Sequence, residues 1–153
     1  VFLFLIGINS GLRMSDIVKL KKQDILSAKN PRIVEQKTGK TRILYLSSLQ
    51  DLIQAYTTDL AADAYLFPST KGGHLAVNTV YQMFQKVAAL LGRDDIGTHT
   101  LRKTFGYHYY KKTKDVATLM EIFGHSSESI TKRYIGIKED EISETLLTFR
   151  LGF

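Results

Sequence analysis

The stretch THTLRKTFGYHYYKKTKD, residues 98–115, places two histidines, five basic side chains and three tyrosines on what otherwise reads as one helix. His99 and Arg102 stand three residues apart, so on a helix both project from one face about a turn apart, leaving Leu101 and Phe105 to point into a core. A guanidinium grips an oxyanion through paired, charge-assisted hydrogen bonds, and an imidazole beside it adds another donor. The chemistry within reach is therefore the binding of an oxyanion. A lone H-x-x-R pair is more often ordinary surface charge, so its meaning depends on what the rest of the chain supplies. The same helix ends in YYKKTK, a basic and aromatic end suited to a polyanion's backbone.

The elements that must position these residues can be read from periodicity and punctuation. The opening VFLFLIGI is a core helix entered midway, too short to span a bilayer and lacking a basic flank or a small-residue cleavage site. A chain that starts with Val inside a hydrophobic run reads as an excised piece, with an upstream domain expected. NSGLRMSDIVKL breaks at Gly11 and restarts with Ser15 as N-cap, Ile17, Val18 and Leu20 supplying a buried side, so that Arg13 lies in a tight turn between two helices. DIL, RIVEQ and RILYLS read as short strands of a small antiparallel sheet, with a hairpin tip near Lys37 to Lys40 turned by Gly39.

From Ser48, which with Asp51 makes an S-x-x-D start signal, Leu49, Leu52, Ile53, Tyr56 and Leu60 recur at helical spacing. After the loop YLFPSTKGGH, Val80, Phe84, Val87 and Leu91 mark one face of a second amphipathic helix stopped by Gly92. Thr98 or His99 caps the helix of residues 98–115, Asp115 caps another that stops at Gly124, and Ser127 starts a short one toward Tyr134. The tail KEDEISETLLTFRLGF spaces Ile142, Leu146 and Phe149 along one face. The expected fold is one α+β domain, mainly helical, with a small antiparallel sheet near its N-terminal third.

Length and composition agree with a globular domain: 153 residues, 44% of them hydrophobic. With no cysteine, disulfides and thiolate metal sites are excluded, and a reducing intracellular setting is the easier reading. The formal charge of +6 is uneven: residues 138–153 hold four acids against two bases, leaving 19 bases against 11 acids before them. A basic body suggests a polyanionic partner, most often nucleic acid.

Around HTLR the chain carries, in order, GLRMSD, KTGK, FGHSS and TKRYIGI. Together these resemble the catalytic domain of the tyrosine recombinases, the phage integrase family, over residues 11–137. That family has an arginine in a G-L-R turn, a lysine on a β-hairpin, H-x-L-R, a histidine in a G-H motif and a nucleophilic tyrosine some nine residues beyond. The resemblance places these at Arg13, Lys37, His99, Arg102, His125 and Tyr134, with Lys40 the alternative to Lys37 if the hairpin register differs. It implies that Asp16 buttresses the Arg13 fork. His74 and His108 match no motif, and Tyr107, Tyr109 and Tyr110 compete with Tyr134 as nucleophile but share a helix with Arg102 and suit packing or lining DNA.

The implied chemistry is coherent. Displacement at a phosphodiester spreads negative charge over its non-bridging oxygens, which Arg13 and Arg102 can clamp. A hairpin lysine can protonate the departing 5′ oxygen, the histidines can donate to phosphate or handle the tyrosine proton, and Tyr134 can attack phosphorus. Arginine and lysine meet charge that paired metal ions neutralise in polymerases and nucleases, so no cofactor is expected.

The resemblance further implies double-stranded DNA as partner, a tetramer on DNA in the full-length protein, no membrane, and the cytoplasm of a bacterial or phage-infected cell. Residues 1–137 would form the catalytic domain, lacking an N-terminal DNA-binding domain. Residues 138–153 would form a tail helix packing in cis or on a neighbouring protomer. The KTGK tip leans toward phage and mobile-element integration or excision rather than chromosome-dimer resolution. Two other readings carry less: a type IB topoisomerase, against which stand the short Arg-to-Tyr span and the G-H motif, and a non-catalytic DNA-binding module, which would need no tyrosine nucleophile.

Overall fold

A computed structural model describes residues 1–137 and 140–152, apart from the side chains of residues 140, 142, 143 and 145. The chain divides into two compact units, Val1–Phe105 and the residues from Gly106 onward. The expected α+β character holds: helices dominate, and a two-stranded antiparallel sheet lies in the first third.

In the first unit, α1 (Phe2–Ser10) ends at Gly11, whose left-handed φ of 61° lets its N–H turn back to the Gly7 carbonyl. α2 (Met14–Ile17) follows at once. The N-cap position of α2 is Arg13 rather than the expected Ser15, which lies within the helix: the Arg13 carbonyl accepts from Asp16 and Ile17 N–H at 2.9 and 3.1 Å. α3 (Lys22–Leu26) contains the DIL segment that reads locally as a strand. Asp24 decides against that reading, because its Oδ2 accepts the Lys21 N–H at 2.8 Å and closes a helical N-terminus.

β1 (Arg32–Val34) pairs with β2 (Thr41–Ile43), with Ile33 opposite Arg42. The tip between them is closed by Glu35 N–H to the Lys40 carbonyl (2.9 Å) and Gly39 N–H to the Glu35 carbonyl (2.8 Å). A 3-10 turn (Ser47–Leu49) precedes α4 (Gln50–Thr57), so Ser48 falls inside that turn and makes no cap bond. α5 (Val77–Leu90) buries Val80 and Ala88 with Phe84 partly covered, an i, i+4, i+8 face. Val87 and Leu91 lie off that line and are exposed, as is Leu52 on α4. The core gathers Ile6, Leu12, Ile17, Leu44, Ile53, Leu66 and Leu101.

α6 (Thr100–Thr113) starts in the first unit with His99 at its N-cap position, the His99 carbonyl accepting from Lys103 N–H at 2.9 Å. α1 approaches so closely that a Cβ on Gly7 would collide with Leu101.

In the second unit, α7 (Val116–Phe123) is capped by Asp115, which accepts from Thr118 N–H at 2.9 Å, and stops at left-handed Gly124. α8 (Glu128–Ile135) is capped by Ser127 and stops at left-handed Gly136. Leu119, Phe123 and Ile135 form its core with Gly106. On α9 (Asp140–Thr148) and just beyond it, Leu146 and Phe149 of the expected stripe are exposed; the side chain of Ile142 lies outside the described residues.

Candidate active site

The turn between α1 and α2 collects three of the five arginines of the first unit. Three guanidiniums converge within four residues of chain. Arg102, only 3% exposed, donates from Nη1 to the Gly11 carbonyl at 2.6 Å. Arg42, on β2, donates from Nη2 to the Ser10 carbonyl at 2.6 Å. Both carbonyls sit where α1 ends, the negative pole of its peptide dipoles and a favourable place for cations. Arg13 leaves the same turn and pairs through Nη1 with Glu35 Oε2 at 3.0 Å. Of the three, Arg13 and Arg102 stand among the sequence candidates; Arg42, which looks like any polar strand residue, does not.

Asp16 does not buttress Arg13. Its Oδ1 accepts the Gln36 N–H at 2.8 Å, fixing the hairpin just before Lys37, and its Oδ2 is buried with no hydrogen-bond partner among the described residues. One helical turn carries Asp16 past Arg13 toward the hairpin, and Glu35 takes the expected role. Glu35 also pairs with Arg42 Nη1 at 3.3 Å. Burial pushes its carboxyl up, but the Thr38 hydroxyl, Arg13 and Arg42 together outweigh that and hold it below the ordinary carboxylate value.

Lys37 lies exposed at the hairpin tip, and its ammonium makes no hydrogen bond or ion pair among the described residues; the same holds for Lys40. His99 is pushed below the ordinary histidine value of 6.5, first by burial, then by the charges of Lys103, Arg102, Lys37 and Arg13. The positive charges of Arg13, Lys37 and Arg102 thus all disfavour protonation of this imidazole.

His125 and Tyr134 belong to the second unit and are brought together there. Gly124 ends α7, and His125 N–H reaches back to the Met120 carbonyl at 3.0 Å. The His125 Nδ1 is hydrogen-bonded to Thr131 Oγ1 at 2.9 Å, Thr131 being wholly buried on α8. The His125 and Tyr134 rings meet edge to face, centroids 5.2 Å apart, and Phe123 stands 5.2 Å from Tyr134 and 5.5 Å from His125. Thr131 is the residue that sequence reading missed here; its place one turn before Tyr134, on the same helix, was the available signal.

The remaining candidates are otherwise engaged. His74 Nδ1 lies 2.8 Å from the Leu75 carbonyl oxygen, and His108 packs edge-on to Tyr107. Lys111 and Lys114, from the basic end of α6, both bind Glu141 Oε1, at 3.1 and 3.3 Å.

The sequence profile described as the phage integrase family matches residues 2–141. The chain is 49% identical over 141 residues to the probable integrase/recombinase YoeC of Bacillus subtilis strain 168, covering 91% of this chain and 78% of that one. It is 30% identical over 143 residues to the tyrosine recombinase XerC of Bradyrhizobium diazoefficiens, covering 88% of this chain and 44% of the relative. Among solved structures, XerH site-specific recombinase bound to its palindromic difH substrate in a post-cleavage complex superposes with a TM-score of 0.69 at 21% identity, over 95% of this chain and 44% of that one. The chain thus spans less than half the length of XerC and of XerH. With the motif order, the fold and these matches in agreement, the chain belongs to the phage integrase family, as a tyrosine recombinase catalytic domain.

Proposed function

We propose that this chain cleaves and rejoins double-stranded DNA through a 3′-phosphotyrosyl intermediate, with Arg13, Lys37, His99, Arg102, His125 and Tyr134 as its catalytic residues. The observation that carries the reading is the fixed turn at residues 10–13: Arg102 is clipped to Gly11, two residues from Arg13, so two guanidiniums are pre-set before any phosphate arrives. Preorganised donors of this kind stabilise developing oxyanion charge without reorganising during the reaction.

The Tyr134 hydroxyl attacks phosphorus and gives up its proton to a histidine. Arg13 and Arg102 hold the non-bridging oxygens. The bond from phosphorus to the 5′ oxygen breaks, and Lys37 supplies the proton that the 5′ oxygen takes. The phosphotyrosyl ester keeps the energy of the broken bond, so a 5′ hydroxyl from another strand reverses the sequence with a new partner. Several copies on paired sites, a tetramer in the full-length protein, follow from exchanging strands between duplexes. The exposed Leu146 and Phe149 suit the tail to docking on a neighbouring protomer. Phage or mobile-element integration and excision, in the cytoplasm where such DNA resides, is the task that fits best.

Support for DNA as substrate comes from the basic body of the chain and from a likeness in fold to the Tn1549 transposon integrase, solved in complex with a circular intermediate DNA. Among the described residues no helix is long and apolar enough to cross a membrane.

The test is covalent trapping. The chain and its Tyr134→Phe variant are incubated in EDTA with a pool of nicked duplexes of randomised sequence, and protein–DNA adducts are sought on a denaturing gel. An adduct with the parent alone supports the reading. No adduct from any duplex, or one that persists in the variant, overturns respectively the chemistry or the choice of nucleophile.

A further inference from the structure

We propose that Glu35 is a positioning residue that locks Arg13 and the hairpin bearing Lys37 into one rigid piece, so that the phosphate clamp and the proton donor arrive at the scissile phosphate together. This rests on the roles proposed above for Arg13 and Lys37.

A carboxylate only 6% exposed is costly unless its oxygens are occupied by charged or polar partners. Those of Glu35 are divided between elements. Oε2 accepts from Arg13 Nη1 at 3.0 Å and from the Thr38 hydroxyl at 2.9 Å, while Oε1 accepts from Arg42 Nη1 at 3.3 Å. Its backbone closes the hairpin on both sides of Lys37, through the Lys40 carbonyl and the Gly39 N–H. Side chain and main chain of one residue therefore fasten the tip.

The contacts form a ring. Arg13 binds Glu35, Glu35 binds Arg42, and Arg42 binds the Ser10 carbonyl, which is three residues from Arg13 along the chain. Sliding the hairpin past the turn must break a member of that ring. The carboxylate also separates two guanidiniums that would otherwise repel each other, each with less than a fifth of its side chain exposed. Among the described residues Arg13 spends one hydrogen bond on Glu35 and makes no other side-chain bond. The rest of its five donors remain for a phosphate.

Two measurements test this on the whole chain with Glu35→Gln and Glu35→Asp. The first is nitrogen-15 NMR of the Arg13 guanidinium, assigned with Arg13→Lys. The parent should show slowed rotation of the paired guanidinium, Glu35→Gln the averaged signal of a free arginine, and Glu35→Asp an intermediate, with hairpin backbone signals retained throughout. An Arg13 signal that is unchanged in Glu35→Gln overturns the proposal. The second is adduct formation on a duplex trapped by the parent. Glu35→Gln should slow it at saturating DNA between about tenfold and 100-fold, as small displacements of catalytic groups do. Its DNA affinity should stay close to the parent's, and Glu35→Asp should recover part of the rate. A parent-like rate in Glu35→Gln also overturns it. If the parent itself forms no adduct, the proposed chemistry fails while the NMR measurement still decides what Glu35 does to Arg13.

Discussion

The turn that holds Arg13 and the helix that holds Tyr134 are built on opposite principles. In the first unit, guanidiniums are fixed by charge: Arg102 and Arg42 on the carbonyls that end α1, Arg13 on Glu35. In the second, Phe123, His125 and Tyr134 form a cluster of rings packed edge to face or tilted, near which Phe123 and Ile135 close on Gly106, and Thr131 is hydrogen-bonded to His125. The difference suits the roles proposed for each. A phosphate clamp needs donors that keep their direction before the anion arrives, which directional, charge-assisted bonds provide. A nucleophile needs a defined place, which contacts to its ring supply.

The largest expected effect breaks the packed side. A Cβ on Gly106 would stand 2.6 Å from Ile135 Cγ2 and 2.7 Å from the Phe123 ring, and Ile135 neighbours Tyr134 on α8. Gly106→Val should cost about 3 kcal/mol, the upper part of the usual overpacking range, read by denaturant unfolding. Amide exchange along α7 and α8 should quicken. A loss below the error of the fit would mean that α8 shifts freely and that packing does not place the tyrosine.

Next comes the charged side. Arg102→Met keeps the volume of the side chain but leaves the Gly11 carbonyl without its guanidinium, a bond to a charged group worth about 2 kcal/mol. Thermal unfolding gives the size, and trapping on DNA should fall far more than stability does. Equal loss in both would reduce Arg102 to a structural clip. Thr131→Val then sharpens the comparison, because it removes the hydroxyl bond to His125 while leaving the ring packing in place. The change should cost about 1 kcal/mol, with the His125 ring signals broadened or moved in NMR.

How far these two regions could be read from sequence follows the same division. The packed side was largely legible: Asp115 and Ser127 as caps and Gly124 as a stop are local signals, and local geometry obeys them. On the charged side four motif residues, Arg13, Lys37, His99 and Arg102, could be named, yet their partners could not. Asp16 is nearer in sequence to Arg13 than Glu35 is, but the hairpin returns Glu35 to the arginine and turns Asp16 to Gln36. DIL was lost as a strand because Asp24 closes a helix start, a bond that composition does not reveal. Val87 and Leu91 were assigned to the core by periodicity alone, and which stripe of an amphipathic helix is covered depends on what packs there.

The smallest effect is the titration of His99, and it probes whether the cations of the first unit truly surround one imidazole. Burial and then Lys103, Arg102, Lys37 and Arg13 disfavour its charged form, so its midpoint in proton NMR should lie below 6.5. The folded chain then resists a proton that the unfolded chain accepts. Stability is untouched above that ordinary value and falls as the pH drops from it toward the lowered midpoint, by a modest amount because the burial is partial and the residue still meets solvent. Lys103→Gln should raise the midpoint by removing the largest of the charge contributions. Inorganic sulfate should raise it too, since an anion among those cations favours imidazolium. A midpoint at or above 6.5 that neither change moves would mean that the charges are dispersed in solution, and the contrast between a charge-fixed turn and a packing-fixed helix would lose its first half.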